Sequence, residues 1–368
     1  FLRPMEERMF DRSNSASPTA LLGALVCFAA LPGAAIAQQA ETFRLQGNEV
    51  AIYNLAGKVQ VKGGSGSDVA VSVRRGGSDA GRLAVQTGNV DTRQKGFGTV
   101  NSLRVVYPQE TIVYSEGNGN SEIRVRDDGT FFGDSDGGKK IKIRDSGSGV
   151  KAHADLEITV PNGRSVLVAL AVGEVRVDNV NGRLYVDVAS ADIWSSGGNG
   201  EFVFDTGSGD VEVKGHDGGL VCDTGSGDVL VENVNGGELN FDTGSGNVSG
   251  RGVRGSSLRA DTGSGDVELH DVSVDEINAD TGSGNVTLDL ASAPSDILVD
   301  VGSGDVVLRL PNGFGATIDV DTGSGDIQTD LPVQVTEIDD DVLRGTIGDG
   351  SGRVRIDTGS GDVKFEKR

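Results

Sequence analysis

The chain has 368 residues, with 57 glycines, 8 prolines, 5% aromatic residues and a formal charge of -22. Its 55 acidic residues outnumber 33 basic ones, and no dense basic run exists, which excludes nucleic-acid binding by counterion release and disfavours anionic membrane surfaces. The glycine has no G-X-Y period, so the chain is not collagenous, and an apolar fraction of 36% suits a thin, elongated core better than a thick globular one.

The N-terminus reads as a secretory signal. Arg12 lies in a short polar region after Met5 or Met9, with four residues before any methionine. Leu21 to Ala30 is apolar but too short for a convincing membrane span. Ala35-Ile36-Ala37 fits a small-x-small cleavage site. Residues 1–37 are therefore expected to be removed, leaving an exported chain that starts at Gln38 and has no later membrane-spanning segment. Cys27 would leave with the signal, so Cys222 would be the single mature cysteine and no intrachain disulfide could form.

Residues 38–168 show strand-like stretches at 49–53, 58–62, 68–74, 103–106, 121–126 and 140–143, separated by glycine- and charge-rich loops. This segment is expected to form an irregular β-rich cap over one end of the fold. Residues 110–139 are expected to be its floppiest loop.

Residues 169–368 are dominated by a repeat. Asp-Thr-Gly-Ser-Gly-Asp/Asn begins at Asp205, Asp223, Asp242, Asp261, Asp280, Asp321 and Asp357, and a variant with Val301 begins at Asp300. Degenerate copies precede these at Asp187–Asp192 and Val172–Glu174. Successive spacings run from 18 to 21 residues, except for a last gap of 36. That gap predicts two coils, one of which has lost its motif.

Apolar pairs flank each turn at strand spacing. Phe202/Phe204, Leu220/Cys222, Leu239/Phe241 and Ile297/Val299 precede it; Val211/Val213, Val267/Leu269 and Val363/Phe365 follow it. Period-two patterning means one buried face per strand. A unit this small cannot bury that face alone, so the coils must stack. Parallel stacking keeps identical motifs in register, which an antiparallel meander would not. The predicted fold is all-β: a parallel β-solenoid with coils of about 18–21 residues, following the N-terminal cap.

Within each turn the glycines are expected to supply positive φ, the leading Asp to accept turn N–H groups, and Thr and Ser to bond between coils. Cys222 aligns with Phe204 and Phe241 and is expected to be a core thiol.

No catalytic, cofactor-binding or metal-ligating residue is assigned. Asp-Thr-Gly-Ser matches the loop of pepsin-like proteases, but those need two converging loops, and eight copies at coil spacing are structural. Gly-Ser-Gly-Asp-Val partly matches Ca²⁺-binding β-roll repeats. A column of aspartates about 4.8 Å apart would repel by roughly 0.9 kcal/mol per neighbour even at water's dielectric, which a cation or turn hydrogen bonds could relieve. A period near 19 rather than nine favours hydrogen bonds. Polysaccharide-cleaving β-helices carry long cleft-forming loops, whereas these coils are short and uniform. Trp194 is expected to be partly buried rather than a sugar platform. His153, His216 and His270 show no metal spacing and are expected near solvated turns. The turn threonines do not form the flat Thr-x-Thr face of an ice-binding solenoid.

The chain is similar to the bacterial putative-adhesin family of exported, glycine-rich β-solenoids. The resemblance rests on Tyr53-Asn54-Leu55-Ala56-Gly57-Lys58-Val59, Ala154-Asp155-Leu156 with Val160-Pro161-Asn162-Gly163, the Thr-Gly-Ser-Gly-Asp turns, and Leu343-Arg344-Gly345-Thr346-Ile347-Gly348-Asp349-Gly350. It implies a non-catalytic scaffold, in the periplasm, on the cell surface or secreted, that presents an acidic surface to a protein or glycan partner. The alternatives are a Ca²⁺-stabilised β-roll-like module and a carbohydrate-active enzyme.

Overall fold

The computed structural model describes residues 40–117, 120–133 and 137–368. The expected export signal lies outside the described residues. Among the described residues no helix is long and apolar enough to cross a membrane, and the only helix is a single 3-10 turn at Ala80–Arg82.

The strands follow in chain order. The N-terminal part contains β1 (Glu41–Leu45), β2 (Glu49–Gly64), β3 (Val69–Gly76), β4 (Ala84–Asp91), β5 (Thr99–Val106), β6 (Thr111–Val113), β7 (Ser121–Val125), β8 (Lys139–Arg144) and β9 (His153–Pro161). The repeats supply β10 (Arg164–Asp178), β11 (Asn181–Ser196), β12 (Asn199–Thr206), β13 (Val211–Asp217), β14 (Leu220–Thr224), β15 (Val229–Thr243), β16 (Val248–Thr262), β17 (Val267–Thr281), β18 (Val286–Leu290), β19 (Asp296–Val301) and β20 (Val306–Leu310). The C-terminal part holds β21 (Ala316–Thr322), β22 (Ile327–Thr329), β23 (Val333–Ile338), β24 (Val342–Ile347), β25 (Gly352–Thr358) and β26 (Val363–Lys367).

The repeats pair in parallel, one above the next. Asp205 lies opposite Asp223, Asp223 opposite Asp242, Asp242 opposite Asp261, and Asp261 opposite Asp280. The strands before the turns form one face and those after them a second. Between the faces runs a continuous core in which every apolar pair cited above is buried. At about 1.5–3 kcal/mol per fully buried aliphatic or aromatic side chain, these pairs supply the main driving force for stacking.

Three features of the arrangement differ from the sequence reading. First, the parallel stack does not begin at residue 169. β2 pairs in parallel with β10 from Glu49 to Lys62, so a complete coil lies inside the segment expected to be only an irregular cap. β5 and β9 then extend its two halves in parallel, and antiparallel strands finish both faces: β4 on β5, and β3 then β1 on β9.

Second, residues 110–139 are not all loop: the strands expected at 121–126 and 140–143 form as β7 and β8, and β6, which the sequence does not signal, joins them. β6, β8 and β7 form a separate three-stranded sheet. Ile112, Ile123, Phe131, Ile141 and Ile143 are buried in a second core, against Tyr53, Leu55, Ala169 and Ala171 on the outer face of the first coils. The sequence signals β7 and β8 as strands but not β6, whose one fully buried residue is Ile112, nor that the three pack on the coils.

Third, the last gap does not hide a coil that has lost its motif. β19 pairs with β25, and β25 pairs with β21; likewise β20 pairs with β26, and β26 with β22. The final coil is therefore inserted between two coils that precede it in sequence. The intervening 36-residue gap is spent on the coil that β21 and β22 begin and on an antiparallel pair, β24 on β21 and β23 on β24.

Candidate functional surface

The Asp-Thr-Gly-Ser-Gly-Asp turn divides its work between positions. The threonine points inward: Thr206, Thr224, Thr243, Thr262 and Thr281 are all buried. Each hydroxyl donates to a carbonyl of the preceding coil, as Thr262 Oγ1 does to Gly246 O at 2.8 Å, and those of Thr224, Thr243 and Thr262 also accept from their own turn, as from Gly265 N at 2.9 Å. Buried threonines cannot form an ice-binding face.

The second glycine is required by close approach. A Cβ on Gly265 would lie 1.8 Å from Gly246 O, and one on Gly227 would lie 1.9 Å from Gly209 O. Of the second glycines in the Asp-Thr-Gly-Ser-Gly turns, only Gly304 has φ in the left-handed range, although Gly57 and Gly173 at the same place in the first coils do, so the expectation of positive φ fails for the regular repeats. The left-handed residue sits at the other corner instead, as Asn179, Gly197, Gly215, Asn233, Gly252 and Asp271 in successive coils, with φ between 51° and 69°. Asn and Asp alternate with Gly there because their short polar side chains tolerate that region best after glycine.

Two aspartate columns run along the stack, with different duties. The trailing Asp or Asn forms a ladder. Asp228 N donates to Asp210 Oδ1 (2.9 Å), Asn247 N to Asp228 Oδ1 (2.8 Å), Asp266 N to Asn247 Oδ1 (2.9 Å), and Asn285 N to Asp266 Oδ1 (2.7 Å). The turn is thus held by the trailing carboxylate of the neighbouring coil, not by the leading Asp as expected. Charge-assisted bonds to backbone N–H are stronger than neutral ones.

The leading column faces outward from Asp205 to Asp300, half-buried or exposed, while Asp187 at its start is buried. Asp205 Oδ2 meets the Tyr185 hydroxyl at 3.5 Å, and Arg259 pairs with Asp261 at 2.6 Å. Burial, then the Asp205 carboxylate, pushes the Asp187 carboxyl up to about 8. Asp205 is raised by burial and by Asp223; Asp242 and Asp280 are raised by burial and by Asp261. Asp223 is raised by burial.

The register explains why the first copies looked degenerate. Tyr53, Ala169, Asp187 and Asp205 occupy one column, and Asn54, Leu170, Val188 and Thr206 the next. The sheet of β6, β7 and β8 covers this outer face at the first coils, so the acidic position becomes Tyr53 and Ala169, and Asp187 sits buried at the rim. Tyr53-Asn54-Leu55-Ala56-Gly57-Lys58-Val59 is itself a turn copy. Asn54 Nδ2 donates to Ala154 O at 2.7 Å, much as the threonines reach a neighbouring coil. A Cβ on Gly57 would lie 2.0 Å from that same carbonyl oxygen. Only Gly57 and Val59 signal the copy in sequence.

The other singled-out residues fall as follows. Cys222 is fully buried, and burial raises its thiol. Trp194 is half-buried on the second face, with the Arg176 guanidinium 4.5 Å over its ring. His216 is buried rather than solvated: it stacks on Phe202 at 4.4 Å, its Nε2 lies 3.2 Å from Gly219 O, and burial lowers its pKa. His153 packs beside Tyr114, and His270 meets Glu268 at 2.9 Å. The three histidines are not brought together. Among the described residues, no three His, Cys, Asp or Glu side chains converge in a group able to hold a metal ion.

A model of the Toastrack DUF4097 family matches residues 112–366. A solved structure described as a putative cell adhesion protein from Clostridium sporogenes ATCC 15579 is similar over 90% of this chain and 99% of that one, at 10% identity and a TM-score of 0.19. No curated protein matches the chain. With the family model spanning most of its length, the chain belongs to the Toastrack DUF4097 family.

Proposed function

We propose that this protein is a non-catalytic scaffold, exported to the cell envelope or secreted, that presents its leading aspartate column to a protein or glycan partner. Residues 1–37 serve as the export signal, and the coils of about 18–21 residues serve as the ruler that spaces the carboxylates. The observation that carries this reading is the division of labour in the repeat. Thr, Gly and the trailing Asp are consumed by packing and by the inter-coil ladder, while the leading Asp faces outward without holding the turn. Residues that are structurally dispensable yet regularly repeated are best explained by what they display.

The test is a tagged copy in its native host, fractionated and crosslinked to its neighbours, beside a variant carrying Asp223→Asn, Asp242→Asn and Asp280→Asn. The expected result is recovery outside the cytoplasm, with crosslinked neighbours that the variant loses while its melting temperature holds. Recovery only in the cytosol, or an unchanged set of neighbours in the variant, would overturn the proposal.

A further inference from the structure

The stack ends in open strand edges, and the two ends are not alike. At the C-terminal end the outermost strand of the first face is β23, which pairs with β24 alone among the described residues. Val333 of this strand packs partly against the core, the strand's other side chains are exposed, and Val335 and Ile338 are two of the three large exposed apolar residues among the described residues, at 48% and 71% exposure. On the second face the last strand is β22. At the other end the outermost strands are β4 on the first face and β1 on the second. Gln86, Thr87 and Asn89 of β4 are exposed.

Strand directions at the two ends are complementary. β23 is antiparallel to β24, which is antiparallel to β21, so β23 runs with the coils. β4 is antiparallel to β5, which is parallel to β2, so β4 runs against them. Placed end to end in one orientation, β23 of one copy and β4 of the next form an antiparallel pair. On the other face, β22 and β1 both run with the coils and form a parallel pair. Both faces can therefore continue across the junction.

Charge distinguishes the ends. From Asp319 to Asp341 there are eight acidic residues and no basic one, with Arg344 of β24 pairing with Asp319 and Glu337; from Arg74 to Arg104 there are six basic residues and two acidic, with Arg74 and Arg75 pairing with Asp155 and Glu41. Two acidic ends repel each other, and the bulge between Val335 and Glu337 further blunts β23 against its own kind. An acidic end meeting a basic one is favoured.

We infer that copies of this protein associate head to tail, the β22/β23 edge of one copy docking on the β1/β4 edge of the next. Such a contact is heterologous, so it propagates instead of closing at a dimer. This inference stands apart from the proposed display of the leading column, and either can fail alone.

Sedimentation velocity on the purified protein across a concentration series at low salt tests it. The weight-average mass is expected to pass beyond the dimer as concentration rises, and to fall as salt screens the ends. A tail variant, Val335→Lys with Ile338→Lys, and a head variant, Gln86→Glu with Asn89→Glu, alter only exposed side chains. Each alone is expected to stay monomeric, because its one intact end finds only blocked partners. An equimolar mixture is expected to stop at the heterodimer, which joins the intact tail of one to the intact head of the other. A wild type that is monomeric throughout, variants that assemble like the wild type, or a mixture that forms no dimer would each overturn the inference.

Discussion

The main-chain N–H of Asp326 donates to the carboxylate of Asp362 at 2.9 Å, across 36 positions of sequence, while Asp362 N donates to Asp305 Oδ1 at the same distance. Asp362 therefore lies between two residues that both precede it. The crossover that places it there is Gly348–Ser351, where Gly352 N donates to Gly315 O at 2.9 Å and the Asp349 carboxylate accepts from Ser351 N at 3.0 Å. Gly348 has φ 57°, and a Cβ there would lie 2.6 Å from Phe314 O. The Ile347-Gly348-Asp349-Gly350 string is thus a device for passing the chain from one side of β21 to the other.

The inserted coil should behave as core, not as a frayed terminus. Phe365, three residues from the end, is fully buried. Phe365→Ala is expected to cost about 3–5 kcal/mol, matching Phe204→Ala in the middle of the stack. Chemical denaturation of the two variants checks this; a cost below about 1 kcal/mol for Phe365→Ala would fit a frayed end.

Glycines should separate by neighbour, not by conformation. Gly265→Ala drives a methyl into Gly246 O and is expected to cost roughly 1–3 kcal/mol or more. Gly237, whose added Cβ would meet nothing within 4 Å, is expected to tolerate Ala within about 0.5 kcal/mol. Thermal melting of both variants decides it, and equal effects would contradict close approach as the reason for the repeat glycine.

Asp187 should make stability fall as pH rises. Its folded pKa, about 8, lies above the ordinary carboxyl value, so the folded state holds a proton that the unfolded state has released. That contribution is complete below about pH 4 and is lost progressively up to about pH 8. His216 has the opposite sign. Its folded pKa is lowered by burial, so its contribution is complete above the unfolded value of about 6.5 and declines as pH falls below it. Asp187→Asn is expected to raise stability at pH 8 by roughly 1–3 kcal/mol and to change it little at pH 4. Melting curves across pH for both forms check this, and a variant no more stable than wild type at pH 8 would contradict it.

Cys222 should be silent toward thiol reagents in the native protein, since it is fully buried between Phe204 and Phe241 in the column and only the thiolate reacts. In protein that starts at Gln38, labelling with a maleimide is expected only on unfolding, and labelling of the folded protein as fast as of the unfolded would contradict the core assignment.

The interior of the stack was legible because every coil repeats the same period-two pattern: Phe204, Cys222, Phe241 and Ala260 fall in one column whatever their identity. The outer face was only partly legible. The leading Asp is visible, but Tyr53 and Ala169 in its column are not, because a separate sheet covers them and inverts the polarity they need. The order of the last coils was not legible at all. Stacking by register says which motif copies can be neighbours and is blind to which copy takes which rung. The roles of Thr262 and Asp266 required coordinates, since a turn motif does not say whether its hydrogen bonds run within a coil or between coils.

The stacking order itself is most directly measured by disulfide trapping. Exposed serines of three turns serve as reporters: Ser303 and Ser360 belong to neighbouring rungs, whereas Ser303 and Ser324 are separated by the inserted coil. Rapid oxidation of the Ser303→Cys/Ser360→Cys pair, with no crosslink in the Ser303→Cys/Ser324→Cys pair, is the expected result. A crosslink formed by Ser303→Cys/Ser324→Cys in place of the other pair would mean that the coils stack in sequence order, and the account of the fold given above would be wrong.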